Sequence, residues 1–438
     1  MISFCKNLFT RGKSSGFLTL VAGTGFAQAT PIVFAPILTR LYTPQDFGVT
    51  ALYLSLASIL GVLASLRYEA AILQPKDDLI AYKLVKLCIL VAIIIALFLM
   101  LALLLWFDFI SRLLGLNELG KIMYLLPLGM VLTAIFQSYN YWGIRNSNYA
   151  SIAIANTVRS TATPCIQLIA SSLTKVLAFG LISGNLLGQA VASLFIYFKN
   201  RDLTANKVDK KFTLKSYSLL AKDYKQMPIF GLPGALLDTT ALQLPILFLT
   251  KFFESSIVGH FSLVFRVLSI PTRLFSEILS KLLLKKVSNI SNSIIDCGST
   301  VSLILKTTVY LIFFISPIVV VLQIWGEEMF AFVFGSDWKV AGSYASILVY
   351  AVAIRFIVSP LSSVLSLKRH MFKGFCWQVL YFITLTSTLL WASNKAFEEF
   401  LFFFVVHEIF LYLIYFIFIL FASYKIDKKI LKCVEFAE

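Results

Sequence analysis

The chain is expected to fold as an all-α integral membrane protein with about twelve transmembrane helices, in two six-helix lobes related by pseudo-two-fold symmetry. Three observations carry that expectation. The sequence is 59% hydrophobic and 14% charged over 438 residues, with a mean hydropathy of +0.85. A soluble domain of this length cannot hide so much apolar surface, whereas lipid solvates it. Apolar runs of spanning length recur from end to end, and hydrocarbon offers their backbone groups no partners outside a helix. The sequence also repeats. Leu38-Thr39-Arg40-Leu41-Tyr42 leads to Phe47-Gly48, and Leu249-Thr250-Lys251-Phe252-Phe253 leads in the same way to Val258-Gly259.

The runs lie near 17–38, 48–73, 84–106, 120–141, 150–171, 176–198, 227–250, 256–282, 301–324, 341–366, 374–393 and 398–423. The first is too long for a cleaved signal and lacks a small-x-small exit, so it is read as a retained helix. The first and seventh are interrupted at matching places, by Pro31 and Pro36 in one and Pro233 and Pro245 in the other. Proline removes an amide donor and kinks a helix. Gln28 and Thr30, and Asp238 and Thr239, sit mid-segment beside these breaks. They read either as partners for kinked backbone or as the lining of a cavity between moving halves, and their matched placement favours the cavity. A second pair of parallel stretches, Phe109 to Gly115 and Met329 to Gly335, follows the third helix of each half. An even number of helices per half makes the repeats parallel, which is transporter architecture.

The longest polar connection, 199–226, divides the chain into an N-lobe (1–198) and a C-lobe (227–438). It is basic, with Lys207, Lys210, Lys211, Lys222 and Lys225. With the N-terminus cytoplasmic, roughly two dozen Lys and Arg fall on cytoplasmic segments and about seven opposite, as the positive-inside rule requires. Lys6, Arg11, Lys13, Lys368 and Arg369 belong to the cytoplasmic set, and both termini are placed there. The net charge of +16 is therefore read as topology and attraction to anionic membrane lipid, not as nucleic-acid binding. The six cysteines are scattered, which supports neither a disulfide framework nor a metal site.

Ionisable groups inside apolar runs carry the sharpest functional signal, because each is costly unless it faces water or a partner. Arg266, Arg273, Glu277 and Lys281 share one face of the eighth helix. The fifth carries a polar stripe of Asn156, Arg159, Ser160, Thr163 and Gln167. Arg355 lies mid-way along the tenth, His407 and Glu408 within the twelfth, and Arg67 and Glu69 near one end of the second. Glu277 reads as an intrahelical partner of Arg273, Lys281 as a snorkelling residue, and His407 as bundle packing. Arg159, Arg266 and Arg355 lie too deep to snorkel and outnumber the one deep central carboxylate, Asp238. Such a surplus suits an anion, and the planar guanidinium fork suits phosphate oxygens.

The stretch Leu38 to Gly48, followed by Arg67-Tyr68-Glu69-Ala70-Ala71-Ile72-Leu73, resembles the opening of bacterial polysaccharide-biosynthesis flippases. That O-antigen and lipid-linked oligosaccharide flippase family lies within the multidrug/oligosaccharidyl-lipid/polysaccharide exporter superfamily. Tyr224 to Pro228, Asp238 to Pro245 and Gly259 to Pro271 are similar to the start of its second half, and Phe334 to Trp338 to a loop after its ninth helix. The resemblance implies a MATE-like, V-shaped pair of lobes in the bacterial cytoplasmic (inner) membrane. It also implies alternating access to an undecaprenyl-pyrophosphate-linked oligosaccharide, no catalytic residues and no bound cofactor. On that basis Arg159, Arg266 and Arg355 hold the headgroup, and Arg67 and Arg273 receive it. Proton or sodium coupling falls to Asp238 or Glu408, since no Gly-rich phosphate loop is present for direct ATP use. A glycan polymerase and a chain-length regulator are the expected partners. A multidrug exporter of the same superfamily, or an integral-membrane polymerase or glycosyltransferase, is the competing expectation.

Overall fold

A computed structural model describes residues 15–114, 119–173, 177–205, 214–292, 299–366 and 371–435. Lys6, Arg11, Lys13, Lys207, Lys210, Lys211, Lys368 and Arg369 lie outside them, as do the side chains of Glu277 and Lys281. Regular structure among the described residues is helical: α1 (Ser15–Leu38), α2 (Pro44–Ala64), α3 (Tyr68–Ala71), α4 (Asp78–Leu114), α5 (Leu126–Arg145), α6 (Tyr149–Leu173), α7 (Leu177–Ala205), α8 (Leu214–Asp223), α9 (Leu232–Phe252), α10 (Ser255–Asn292), α11 (Thr300–Phe334), α12 (Lys339–Val358), α13 (Met371–Ala392) and α14 (Phe397–Glu435). Among the described residues, eight spans are long and apolar enough to cross a membrane. Helices α6 and α10, which bear the polar stripes, are not among the eight. Large side chains such as Phe98, Phe313 and Phe332 stand exposed along α4 and α11, which suits a lipid-facing surface. The protein is a multi-pass membrane protein.

The chain forms two compact units, Met1–Gly259 and His260–Glu438. The first unit includes α9, which packs on α2. One of its cores gathers Tyr68, Leu84, Tyr139, Trp142 and Ile152, another Leu52, Tyr53, Leu103, Met123 and Ile182. The second unit centres on Leu283, Val287, Ile304, Leu361 and Ile419. There the Asp427 carboxylate accepts hydrogen bonds from Ser299 Oγ (2.6 Å) and the amides of Thr300 (2.8 Å) and Val301 (3.1 Å). A carboxylate at those orphan donors caps α11.

The duplicated motif is a helix break with a strong restart. Thr43 and Asp46 form a capping box ahead of Pro44 at the start of α2, which fixes where the helix begins. The two motif glycines then meet. A Cβ on Gly48 would collide with the backbone of Ser255, and one on Gly259 with the backbone carbonyl of Pro44. The first turns of α2 and α10 therefore touch backbone to backbone, a contact only glycine permits.

Helix ends differ from the apolar runs where the backbone, rather than hydropathy, decides. The second run does not continue to residue 73: α2 stops at Ala64, and Leu66 and Arg67 adopt φ of 49° and 64° before α3. The third and ninth runs stop near 106 and 324, but α4 and α11 continue to Leu114 and Phe334 through kinks at Trp106 and Trp325. The fourth opens as a 3₁₀ turn at Gly120–Leu125, and the tenth closes as one at Ser359–Ser366, where Pro360 disfavours further α-helix. Within the 199–226 connection, α7 runs on to Ala205 and α8 is helical.

Candidate functional site

In the first unit, Arg159 projects from α6 with an exposed head. Its Nη1 donates to Gln189 Oε1 at 3.2 Å, and its guanidinium lies 5.1 Å from the ring centre of Phe136. No carboxylate among the described residues pairs with it. Gln167 and Thr163 of the α6 stripe have structural jobs. Gln167 donates to the Leu181 carbonyl at 2.9 Å and its own backbone carbonyl accepts from Tyr42 at 2.5 Å, while Thr163 fills the close approach at Gly188 on α7. Small residues and hydroxyls at such a crossing are helix-packing chemistry.

Arg67 sits in left-handed backbone, where a side chain is strained. Its Nη1 is 3.4 Å from Glu69 Oε1, and Glu69 is buried against the Ser65 hydroxyl, which donates to it. Arg67 is therefore partly neutralised. Gln28 and Thr239 are half-buried, and Asp238 is exposed on α9 with no basic partner among the described residues. Thr30 donates to the Phe26 carbonyl at 2.8 Å and Thr39 to that of Pro36 at 3.2 Å, beside the prolines of α1. Pro31 and Pro36 lie inside α1 and Pro245 inside α9, whereas Pro233 stands in the first turn of α9, just after a π-turn at Met227–Gly231.

In the second unit, Arg266 and Arg273 are exposed two turns apart on α10, and neither is paired with a carboxylate among the described residues. Arg355 is different. Its Nε donates to Glu408 Oε2 at 2.5 Å and its Nη2 to the Tyr381 hydroxyl at 2.7 Å. Tyr381 in turn donates to Glu408 Oε1 at 2.6 Å. Phe265 and Tyr412 each present a ring 5.7 Å from the guanidinium. The Glu408 side chain is 0% exposed and that of Arg355 17%. Two residues assigned separate duties from sequence, headgroup binding and ion coupling, are thus one buried ion pair closed by a tyrosine. Tyr381 carried no signal of its own in an aromatic-rich helix. The pairing joins three helices across 53 residues of chain, a separation that helical periodicity cannot report.

Solved structures of low identity share this fold. The inward-closed conformation of the lipid II flippase MurJ is 13% identical, with a TM-score of 0.71 over 95% of this chain and 91% of that one. An inward-facing multidrug resistance MATE family transporter of the MOP superfamily is 14% identical, with a TM-score of 0.65 over 94% and 95%. A MOP superfamily transporter from Pyrococcus furiosus, for which reversed polarity of the binding pocket suggests a different function, is 12% identical, with a TM-score of 0.61 over 96% and 98%. Together these define the class: an all-helical membrane protein with the MOP-superfamily fold. No curated protein matches the chain. The profile of the polysaccharide biosynthesis protein family matches residues 37–343, more than two thirds of the sequence, and the chain belongs to that family.

Proposed function

We propose that this protein is a flippase that moves undecaprenyl-pyrophosphate-linked oligosaccharide repeat units of a surface polysaccharide, such as O-antigen or capsule, from the cytoplasmic to the periplasmic leaflet by alternating access. It would lie in the bacterial cytoplasmic membrane with both termini in the cytoplasm and work beside a glycan polymerase and a chain-length regulator. Coupling to a proton or sodium gradient would run through Asp238 or Glu408.

The observation that carries this reading is that Arg159 and Arg266 have no carboxylate partner among the described residues of a largely apolar helical protein. A guanidinium is tolerated at such a place only if it faces water or an anion. A pyrophosphate offers several charged oxygens to the bidentate fork, and the polyprenyl tail needs no polar path. A cationic drug would meet net repulsion at the same groups, which disfavours the drug exporter.

In a strain lacking the gene, Arg159→Ala, Arg266→Ala and Arg273→Ala are each expected to reach the membrane at normal levels yet cut surface glycan at least about tenfold, the loss of one charge-assisted contact. Full surface glycan from all three variants would remove the arginines from the mechanism.

A further inference from the structure

The second duplicated stretch, Phe109 to Gly115 in one half and Met329 to Gly335 in the other, has no part in the site described above. Each lies at the end of a long helix, just past a tryptophan. In α4 the residues from Leu87 to Trp106 form a run of 20 without a charge, and in α11 those from Thr307 to Trp325 form one of 19. At a rise of about 1.5 Å per residue each run is about 30 Å long, the thickness of the hydrocarbon core. Charge then returns at once, as Asp108 two residues after Trp106 and as Glu327 two residues after Trp325. The helices also bend at these tryptophans, where φ and ψ are −127° and 32° at Trp106 and −120° and 15° at Trp325. Both indoles are exposed, and an exposed indole at the end of a span is a common marker of the membrane–water boundary.

Beyond each bend the helix has three flanks. In α4, Phe107 stacks on Tyr124 at 5.5 Å and Ser111 is buried, so this flank faces the body of the first unit. Asp108 and Arg112, both exposed, form the next flank, and Phe109, 63% exposed, the third. In α11, Gly326, Phe330 and Phe334 are buried. Glu327 and Glu328 form the next flank, with Glu327 held 3.7 Å from Lys339. Met329 and Phe332 form the third, and Phe332 is 84% exposed. At about 100° per residue the three flanks follow one another in the same rotational sense in both helices. A helix with this cross-section suits a bilayer surface, its apolar flank among the acyl chains and its charged flank toward water. The span before each bend is itself exposed and apolar, at Leu104 and Leu105 in α4 and at Val320 and Ile324 in α11, so lipid already reaches the bend. From these observations we infer that the last turns of α4 and α11 are membrane-surface segments. Phe109 beds one of them, and Met329 with Phe332 the other, in the headgroup–acyl boundary of the bilayer. The inference stands apart from the flippase reading.

The test uses the full chain in lipid nanodiscs, with its six cysteines replaced and one spin label at a time on an introduced cysteine. The positions are Phe109→Cys and Arg112→Cys in α4, and Phe332→Cys and Glu328→Cys in α11. Oxygen, which concentrates in hydrocarbon, and a water-soluble nickel chelate are compared as relaxing agents. Labels replacing Phe109 and Phe332 are expected to favour oxygen, as do labels within the spans at Phe98→Cys and Phe313→Cys, whereas those replacing Arg112 and Glu328 favour nickel. Nickel favoured at both positions of a helix means that its end stands in water, and oxygen at both that it goes on crossing hydrocarbon. Weak relaxation by either agent at Phe109→Cys or Phe332→Cys means that protein covers the flank. Each of these three outcomes overturns the inference for that helix. A label-free measurement guards against a misfolded variant. Tryptophan fluorescence is quenched with lipids brominated near the headgroup or near the chain end, in the unaltered protein and in Trp106→Phe and Trp325→Phe. The emission lost in each variant is expected to be the part that the bromine near the headgroup quenches more strongly, and equal or reversed quenching overturns the inference.

Discussion

Arg355→Ala is expected to destabilise the protein by about 3–5 kcal/mol, the cost of leaving one member of a buried pair uncompensated. Glu408 has no exposed side-chain surface, and Tyr381 alone cannot satisfy a carboxylate in that setting. Glu408→Ala should cost a similar amount by stranding the guanidinium. The combination Arg355→Met with Glu408→Leu should recover most of the loss, because a packed apolar pair is often as stable as a buried ionic one. Arg266→Ala provides the contrast. An exposed side chain with no carboxylate partner among the described residues should change stability by no more than about 0.5 kcal/mol, so its phenotype is expected in transport alone. Denaturation of the purified proteins in one detergent, read as a double-mutant cycle, separates these cases. Additive losses in the double variant would mean that Arg355 and Glu408 do not act as a pair.

Gly48→Val and Gly259→Val are the second pair of large effects. Each introduces side-chain atoms where backbone of the facing turn already lies, and backbone cannot move aside as a flexible side chain can. Overpacking of this kind costs about 1–3 kcal/mol in cores that can relax, and here more, so loss of folded protein from the membrane is expected for both. Gly25→Ala is the control, since a Cβ there meets nothing within 4 Å. In α1 it should stabilise by up to about 1 kcal/mol. Membrane abundance of the three variants, measured by immunoblot after fractionation, checks this. Normal abundance of Gly48→Val would show that α2 and α10 do not meet at this glycine.

That pair of glycines also shows where sequence is informative. Their repetition in Leu38–Gly48 and Leu249–Gly259 was visible because the same local problem, a helix break followed by a close crossing, recurs in each half. The helices themselves were legible for a related reason: hydrocarbon imposes the same demand on every segment. Their ends were less so. Trp106 and Trp325 mark kinks without proline, and Leu66 and Arg67 take positive φ although neither is glycine or asparagine. Composition gives no warning of either. Within the candidate site, sequence singled out the deep arginines as the unusual feature but could not tell which of them meets a carboxylate. Arg159, Arg266 and Arg355 look alike as letters. Only the position of Glu408 and Tyr381 in space turns one of them into a neutralised pair and leaves the others without a carboxylate partner among the described residues.

In the proposed function, guanidiniums with no carboxylate partner among the described residues carry a polyprenyl-pyrophosphate headgroup across the membrane. The most direct measurement is translocation of undecaprenyl-pyrophosphate oligosaccharide, bearing the host's own repeat unit, in proteoliposomes that contain only this protein and an imposed ion gradient. Protein-dependent movement that falls at least about tenfold in Arg266→Ala, with folding and reconstitution unchanged, is the expected result. No movement by folded, reconstituted protein, or movement undiminished in Arg266→Ala, would contradict it.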